Sequence, residues 1–191
     1  MKRAKVRHLA PRATRVQDYL DGARELFIFS MKGEPLTTDV SMLRAAEVKA
    51  RRALLLDPSS YDAILLLGDI LADYDDDLKS SKEALRYYDL AMRMEPDDPE
   101  PYHGKAGVLL WDLKQPVAAE QFARQAIALN SRRRRDVFLL EITYSTLIAA
   151  LMEQRKFAEA REALRKAQWR CPTETMKALV ADTLEQLPPE S

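Results

Sequence analysis

The chain has a single cysteine, Cys171, so no disulfide can form within it, and a reducing compartment is expected. Glycine is scarce, at 5 of 191 residues, and aromatic residues make up only 7%. A turn-rich sheet protein would need more of both. There are two histidines, His8 and His103, far apart in sequence, and they form neither a metal set nor a catalytic pair with Cys171. The apolar runs Ile64–Leu67 and Phe138–Leu140 are far too short to span a bilayer. The basic N-terminus is not followed by an apolar stretch of signal-peptide type, so a soluble, cytoplasmic chain is expected. Net charge is zero, which disfavours binding to a polyanion by bulk charge. No phosphate-cradling glycine loop, dinucleotide fingerprint or nucleophile elbow is present, and no paired carboxylates stand out, so no enzymatic activity is expected.

What the chain does contain is alanine, leucine, glutamate and arginine in abundance, a helical composition. It also contains a repeat. Ala160 is followed seven residues later by Ala167 and five after that by Pro172. The same spacing recurs at Ala46, Ala53 and Pro58, at Ala84, Ala91 and Pro96, and at Ala119, Ala126 and Ser131, where serine replaces the proline. A unit returning at a period of about 34 residues marks an array of helical hairpins. The cleanest copy is Glu141–Pro172, an apolar helix, a short turn and a second helix.

In chain order, residues 1–12 form a basic arm, and a single domain is expected over 13–187 with a tail at 188–191. Its units are expected at about 14–58, 59–96, 97–131 and 132–172. A first helix is predicted from Thr14 to Ser30, with Tyr19, Ala23, Leu26 and Phe27 on one face. Gly33 and Pro35 interrupt it, and a second helix starts at Thr38 or Asp39 as N-cap. Ser59–Ser60 open the second unit, and Asp98 and Pro99 the third. Arg132–Arg135 would oppose the dipole if they began the next helix, so this run is either a costly helix start or a loop. After Pro172, Met176, Leu179, Val180, Leu184 and Leu187 make an amphipathic helix over 173–187 with no successor, which is how an end cap should look. Gly68, Gly107 and Ile148 each precede a leucine by three residues and face alanines of the second helices. They are expected where helices approach closely, so a large residue at Gly107 is predicted to force that contact apart.

Taken together, LLLGDIL with EALRYYDLAMRMEP, KAGVLLW with AAEQFARQAIALNS, and TLIAALMEQRKFAEAREALRKAQWRCP resemble the tetratricopeptide (TPR) repeat family. Residues 16–58 match it more loosely, through GARELF and RAAEVKARRALLLDP. Departures are Ile148 at a usually small place, Ser131 for the proline, a long first loop and a longer acidic turn in the second unit. The resemblance implies an all-α, right-handed superhelical array of antiparallel helix hairpins, a TPR-like α-solenoid with a C-terminal capping helix.

It also implies a groove lined by the first helices that binds a peptide or helix of another protein. By phase, its residues are Arg24, Phe27, Ile28, Asp62, Leu65, Asp69, Ala72, Asp73, Lys105, Val108, Trp111, Asp112, Ser145, Ala149, Met152 and Glu153. Such a groove suits a segment with apolar anchors and basic flanks. The alternative is that Trp111 and Phe27 are core residues. Family members that hold acidic tails do so with Lys, Arg and Asn, and here those faces carry aspartates with Lys105 nearly alone, so no such clamp is expected. The expected function is therefore a non-catalytic scaffold, without cofactor or metal. Two alternatives are self-assembly, with the basic end or Arg132, Arg133, Arg134 and Arg135 docking electrostatically on the acidic unit of a second copy, and a chaperone of a secreted client. A nucleic-acid role through the arginine segments is a remote alternative, since aromatic interleaving is missing. Asp73, Asp75, Asp77 and Glu83 are spaced somewhat like a calcium loop, but no glycine follows the third acid and Glu83 is one residue early, so a solvated turn is expected.

Overall fold

The computed structural model describes residues 11–30, 39–74, 78–133 and 136–188. The described residues are helical with short connections and contain no strand. The order is α1 (Arg12–Ser30), α2 (Val40–Leu56), α3 (Tyr61–Ala72), α4 (Leu78–Met94), α5 (Glu100–Trp111), α6 (Pro116–Arg133), α7 (Val137–Glu153), α8 (Phe157–Arg170) and α9 (Glu174–Gln186). Helix starts follow capping chemistry. The Asp39 carboxylate accepts from the Ser41 and Met42 amides, Ser60 from Ala63, Asp136 from Leu139 and Thr173 from Met176. At α5 the Asp98 carboxylate accepts from the Glu100 amide at 3.0 Å, while Pro101 sits inside the first turn.

Successive helices pack as hairpins, α1 on α2, α3 on α4, α5 on α6 and α7 on α8. Each hairpin packs on the next through α2–α3, α4–α5 and α6–α7. The first helices also touch one another, α1 with α3, α3 with α5 and α5 with α7. That pattern is an α-solenoid in which the first helices share one face. The periodic alanines explain the pairing. Ala46, Ala53, Ala84, Ala91, Ala119, Ala126, Ala160 and Ala167 are each at most 1% exposed, so a methyl is the largest group that fits where the hairpin arms meet. The core runs along the array as linked clusters and closes at α9, where Met176, Val180 and Leu187 join Leu164 and Cys171.

Two features differ from expectation. Ser131 does not stop its helix: α6 continues through Arg133, so the arginine run begins at a helix C-terminus. Cations there complement the dipole rather than oppose it. Arg134 and Arg135 lie outside the described residues, as do residues 1–10 of the basic arm.

The second difference concerns the glycines. Gly68 and Gly104 are the close-contact positions, and both are set against one ring. A Cβ on Gly68 would stand 2.8 Å from Cε1 of Tyr88, and one on Gly104 would stand 2.4 Å from its Cζ. Tyr88, on α4, is thus held between α3 and α5 and is 1% exposed. Gly107, expected in such a contact, has nothing within 4 Å of where its Cβ would be. The repeat spacing places Gly107 opposite its neighbour in the hairpin, but in this array the aromatic ring that demands a glycine comes from the preceding unit and lands one turn earlier on α5.

Candidate interaction groove

The shared face of the first helices encloses a hollow of about 570 Å³. Asp69, Ala72 and Asp73 line it from α3 and its C-terminus, Glu100, His103, Gly104, Gly107, Val108, Trp111 and Asp112 from α5 and its C-terminus, and Phe138, Leu139, Ile142 and Thr146 from α7. Phe27 reaches it from α1, Tyr88 from α4, and Asp136 from the start of α7. Spacing explains the membership. On α5 the residues Glu100, His103, Gly104, Gly107 and Trp111 follow the three-and-four step that keeps side chains on one helix face.

Phe27, Asp69, Ala72, Asp73, Val108, Trp111 and Asp112 are brought together, as expected from helical phase. The other expected residues lie elsewhere. Arg24 reaches Asp62 at 3.1 Å and ties α1 to α3. Leu65 is buried against Ala84, Tyr88 and Val108. Lys105 turns away to Asp89 and lies 4.5 Å over the ring of Phe122, because on α5 it falls a third of a turn off the inner face. Ser145 donates back to the Glu141 carbonyl at 3.1 Å, Ala149 packs beside Leu109 and Leu110, and Met152 packs into the terminal core. Ile28 is exposed, 52%, and Glu153 is exposed at the end of α7. On α7 the lining face starts at Phe138, two turns earlier than the phase argument placed it. Phe138 was legible only as part of an apolar run, yet it is 73% exposed, and Trp111 is 53% exposed. The core reading of Trp111 therefore does not hold.

The electrostatics of the hollow are one-signed. Asp69, Asp73, Glu100, Asp112 and Asp136 all line it, and no lysine or arginine does among the described lining residues. Burial pushes Asp69 up to about 7, with Glu100 and Asp73 adding like charge, although the Tyr88 hydroxyl donates to it at 3.0 Å and opposes the rise. Glu100 is raised by burial and by Asp98, Asp136 and Asp62, with Arg24 opposing. Burial pushes His103 down to about 4, and its Nδ1 lies 3.2 Å from the Thr143 hydroxyl. It is therefore a neutral residue joining α5 to α7. Asp112 accepts from Ser81 at 2.7 Å, and Asp136 is occupied in part by capping α7. An acceptor-rich, cation-poor cavity favours a positively charged occupant.

A second hollow, about 610 Å³, lies between α6 and α8 under Trp169. Most of its charges are paired within the fold. Arg124 binds Glu120 at 2.8 Å and Glu159 at 2.6 Å, Lys166 binds Glu162 at 2.6 Å, and Arg170 donates to Ser131 at 2.8 Å. Three cations and two carboxylates line it, so it has none of the acidic excess of the inner hollow. Among the described residues no cluster of three or more His, Cys, Asp or Glu could hold a metal ion. Asp75 and Asp77 of the acidic turn lie outside the described residues, and Glu83 is engaged by Arg51 at 2.9 Å. Cys171 is buried, and burial raises its thiol pKa. No helix among the described residues is long and apolar enough to cross a membrane.

No family model matches the chain, and no curated protein is similar to it. Among solved structures, one from a study titled as the functional characterization of Pseudomonas aeruginosa PilF superposes with a TM-score of 0.69. The likeness covers 92% of this chain and 70% of that one at 19% identity. At that identity the likeness shows the fold, an all-helical TPR-like solenoid of hairpins.

Proposed function

We propose that this chain is a non-catalytic scaffold whose inner hollow binds a segment of another protein, one carrying apolar anchors between basic flanks. The observation that carries this reading is the lining itself: exposed Trp111 and Phe138 share one cavity with Asp69, Asp73, Glu100, Asp112 and Asp136, and Lys105 is turned out of it. Apolar anchors supply most of the affinity in such an interface, and the carboxylates add steering and orientation. Because α3, α5 and α7 are packed against one another before any partner arrives, little ordering cost attaches to binding. A peptide-display selection on the folded protein tests the reading. Enriched peptides should combine an aromatic or aliphatic residue with lysine or arginine. Trp111→Ala, and separately Asp73→Arg, should weaken them by at least tenfold while leaving the helical circular-dichroism signal unchanged. Peptides that bind both variants as well as the parent protein would place the site elsewhere.

Segregated charge favours self-association as the second reading. The sequence carries six basic residues and no acid over 1–15, and the hollow carries carboxylates. Light scattering across a concentration series at two salt levels separates the two. A monomer throughout removes self-assembly, and growth that salt reverses supports it.

A further inference from the structure

We infer that Gly107 is the seat of the partner's apolar anchor: the bound segment lays a bulky apolar side chain over the bare backbone of Gly107 and turns a basic side chain toward the acidic wall of α3. The inference rests on the groove reading above and adds which residue selects the occupant. It begins with a glycine that packing does not explain. Gly68 and Gly104 must be glycines because the Tyr88 ring fills the space beside each. Gly107 lies in the same helix as Gly104, and a Cβ there would meet nothing within 4 Å. A glycine inside a helix weakens it, since the unfolded backbone has more freedom to lose. At Gly107 no internal neighbour makes use of the missing side chain.

The space it leaves open belongs to the hollow. α5 and α7 supply the apolar groups Trp111, Phe138 and Ile142. α3 and its C-terminus supply Asp69 and Asp73, while Glu100 and Asp112 stand at the two ends of α5 and Asp136 at the start of α7. The lining thus joins an apolar cluster on α5 and α7 to carboxylates on α3 and at the helix ends, with the bare backbone of Gly107 on α5 between α3 and α7. An occupant matching all three carries an aromatic or branched aliphatic residue beside a lysine or arginine, and its anchor can reach the α5 backbone only because no side chain intervenes.

The test is a size-complementarity series. Peptides selected on the parent protein, labelled with fluorescein, are titrated by anisotropy against the parent, Gly107→Ala and Gly107→Leu, and again after the peptide's anchor is cut to alanine. Gly107→Leu should weaken the intact peptide at least tenfold with the melting temperature unchanged or raised. Cutting the anchor should cost affinity in the parent and much less in Gly107→Leu, since the substituted leucine already fills the seat. If Gly107→Leu binds the intact peptide within twofold of the parent, Gly107 is not the seat, and the groove reading stands. If the parent enriches no peptide with this basic and apolar pattern, the groove reading itself falls and this inference falls with it. Should Gly107→Leu lose helical signal, Gly107→Ala decides. Binding at least threefold weaker, with an unchanged or higher melting temperature, supports the seat, and any smaller loss overturns it.

Discussion

Alanine at Gly104 and alanine at Gly107, three residues apart on α5, should move stability in opposite directions. In both cases the helix itself gains, by about 1 kcal/mol, because alanine has less backbone freedom to surrender. At Gly107 nothing offsets the gain, since its new methyl stands in open space. At Gly104 the methyl would lie 2.4 Å from Cζ, 2.5 Å from Cε1 and 2.7 Å from the hydroxyl oxygen of Tyr88. The ring has no easy retreat. It is 1% exposed, Gly68 backs it from α3, and its hydroxyl is bonded to Asp69. Overpacking of this kind costs up to about 3 kcal/mol, which leaves a net loss of about 2 kcal/mol for Gly104→Ala. In a chain of this length that corresponds to a melting temperature lower by about 4–8 °C, against a rise of about 2–4 °C for Gly107→Ala. Thermal melts followed by circular dichroism, all at one protein concentration, measure both. A smaller side chain at position 88, as in Tyr88→Leu, should recover part of the Gly104→Ala loss when the two are combined, and a double-mutant cycle gives the coupling. Equal shifts of the same sign for the two alanine variants would refute the claim that Tyr88 separates a structural glycine from an open one.

Two further outcomes follow from the same geometry. The Asp69 carboxyl, held at about 7 in the folded chain against an ordinary 3.8, favours the folded state fully below about pH 4 and ceases to do so as pH rises through 7. Asp69→Asn keeps an acceptor for the Tyr88 hydroxyl, so its urea midpoint should fall less than the parent's between pH 5 and pH 8, and parallel pH profiles would contradict the assignment. Lys114 and Arg155 occupy matching turns within the third and fourth hairpins with φ of 53° and 57°, the left-handed region that side chains disfavour. Lys114→Gly and Arg155→Gly should each stabilise by about 0.5–1 kcal/mol, the relief of strain exceeding glycine's added freedom when unfolded, and thermal melts of each variant check the sign.

The fold was legible because its determinant is local and periodic. Seven-residue alanine spacing reports a buried arm on each hairpin, and every one of those alanines is buried. Caps were legible for the same reason: Asp39, Ser60 and Asp98 act on amides two or three residues ahead. The face of each first helix was harder to read, because it depends on how one hairpin rotates against the next. On α3 and α5 helical phase was enough to identify Asp69, Ala72, Asp73, Val108, Trp111 and Asp112. On α7 it missed Phe138, Leu139, Ile142 and Thr146 and chose residues that pack inward or sit on other faces. An apolar run such as Phe138–Leu140 reads as core along the sequence, yet Phe138, at the start of α7, stands in solvent.

The glycines show the limit most sharply. A repeat register treats Gly68 and Gly107 as equivalent, since both stand three residues before a leucine. In the folded chain their surroundings are opposite, because what fills the space beside a glycine is supplied by another helix. Tyr88, from the second arm of one hairpin, meets Gly68 of its own unit and Gly104 of the next. One large side chain thus fixes two helix approaches at once and leaves Gly107, a turn further along, with no internal duty. The same ring also carries Asp69 on its hydroxyl, so the contact that sets the spacing of α3 and α5 also places a carboxylate in the hollow. Packing and the character of the groove therefore have a shared origin in Tyr88. A change there should alter the melting temperature and the pH dependence together, whereas Gly107→Leu should empty the groove with the melting temperature unchanged or raised.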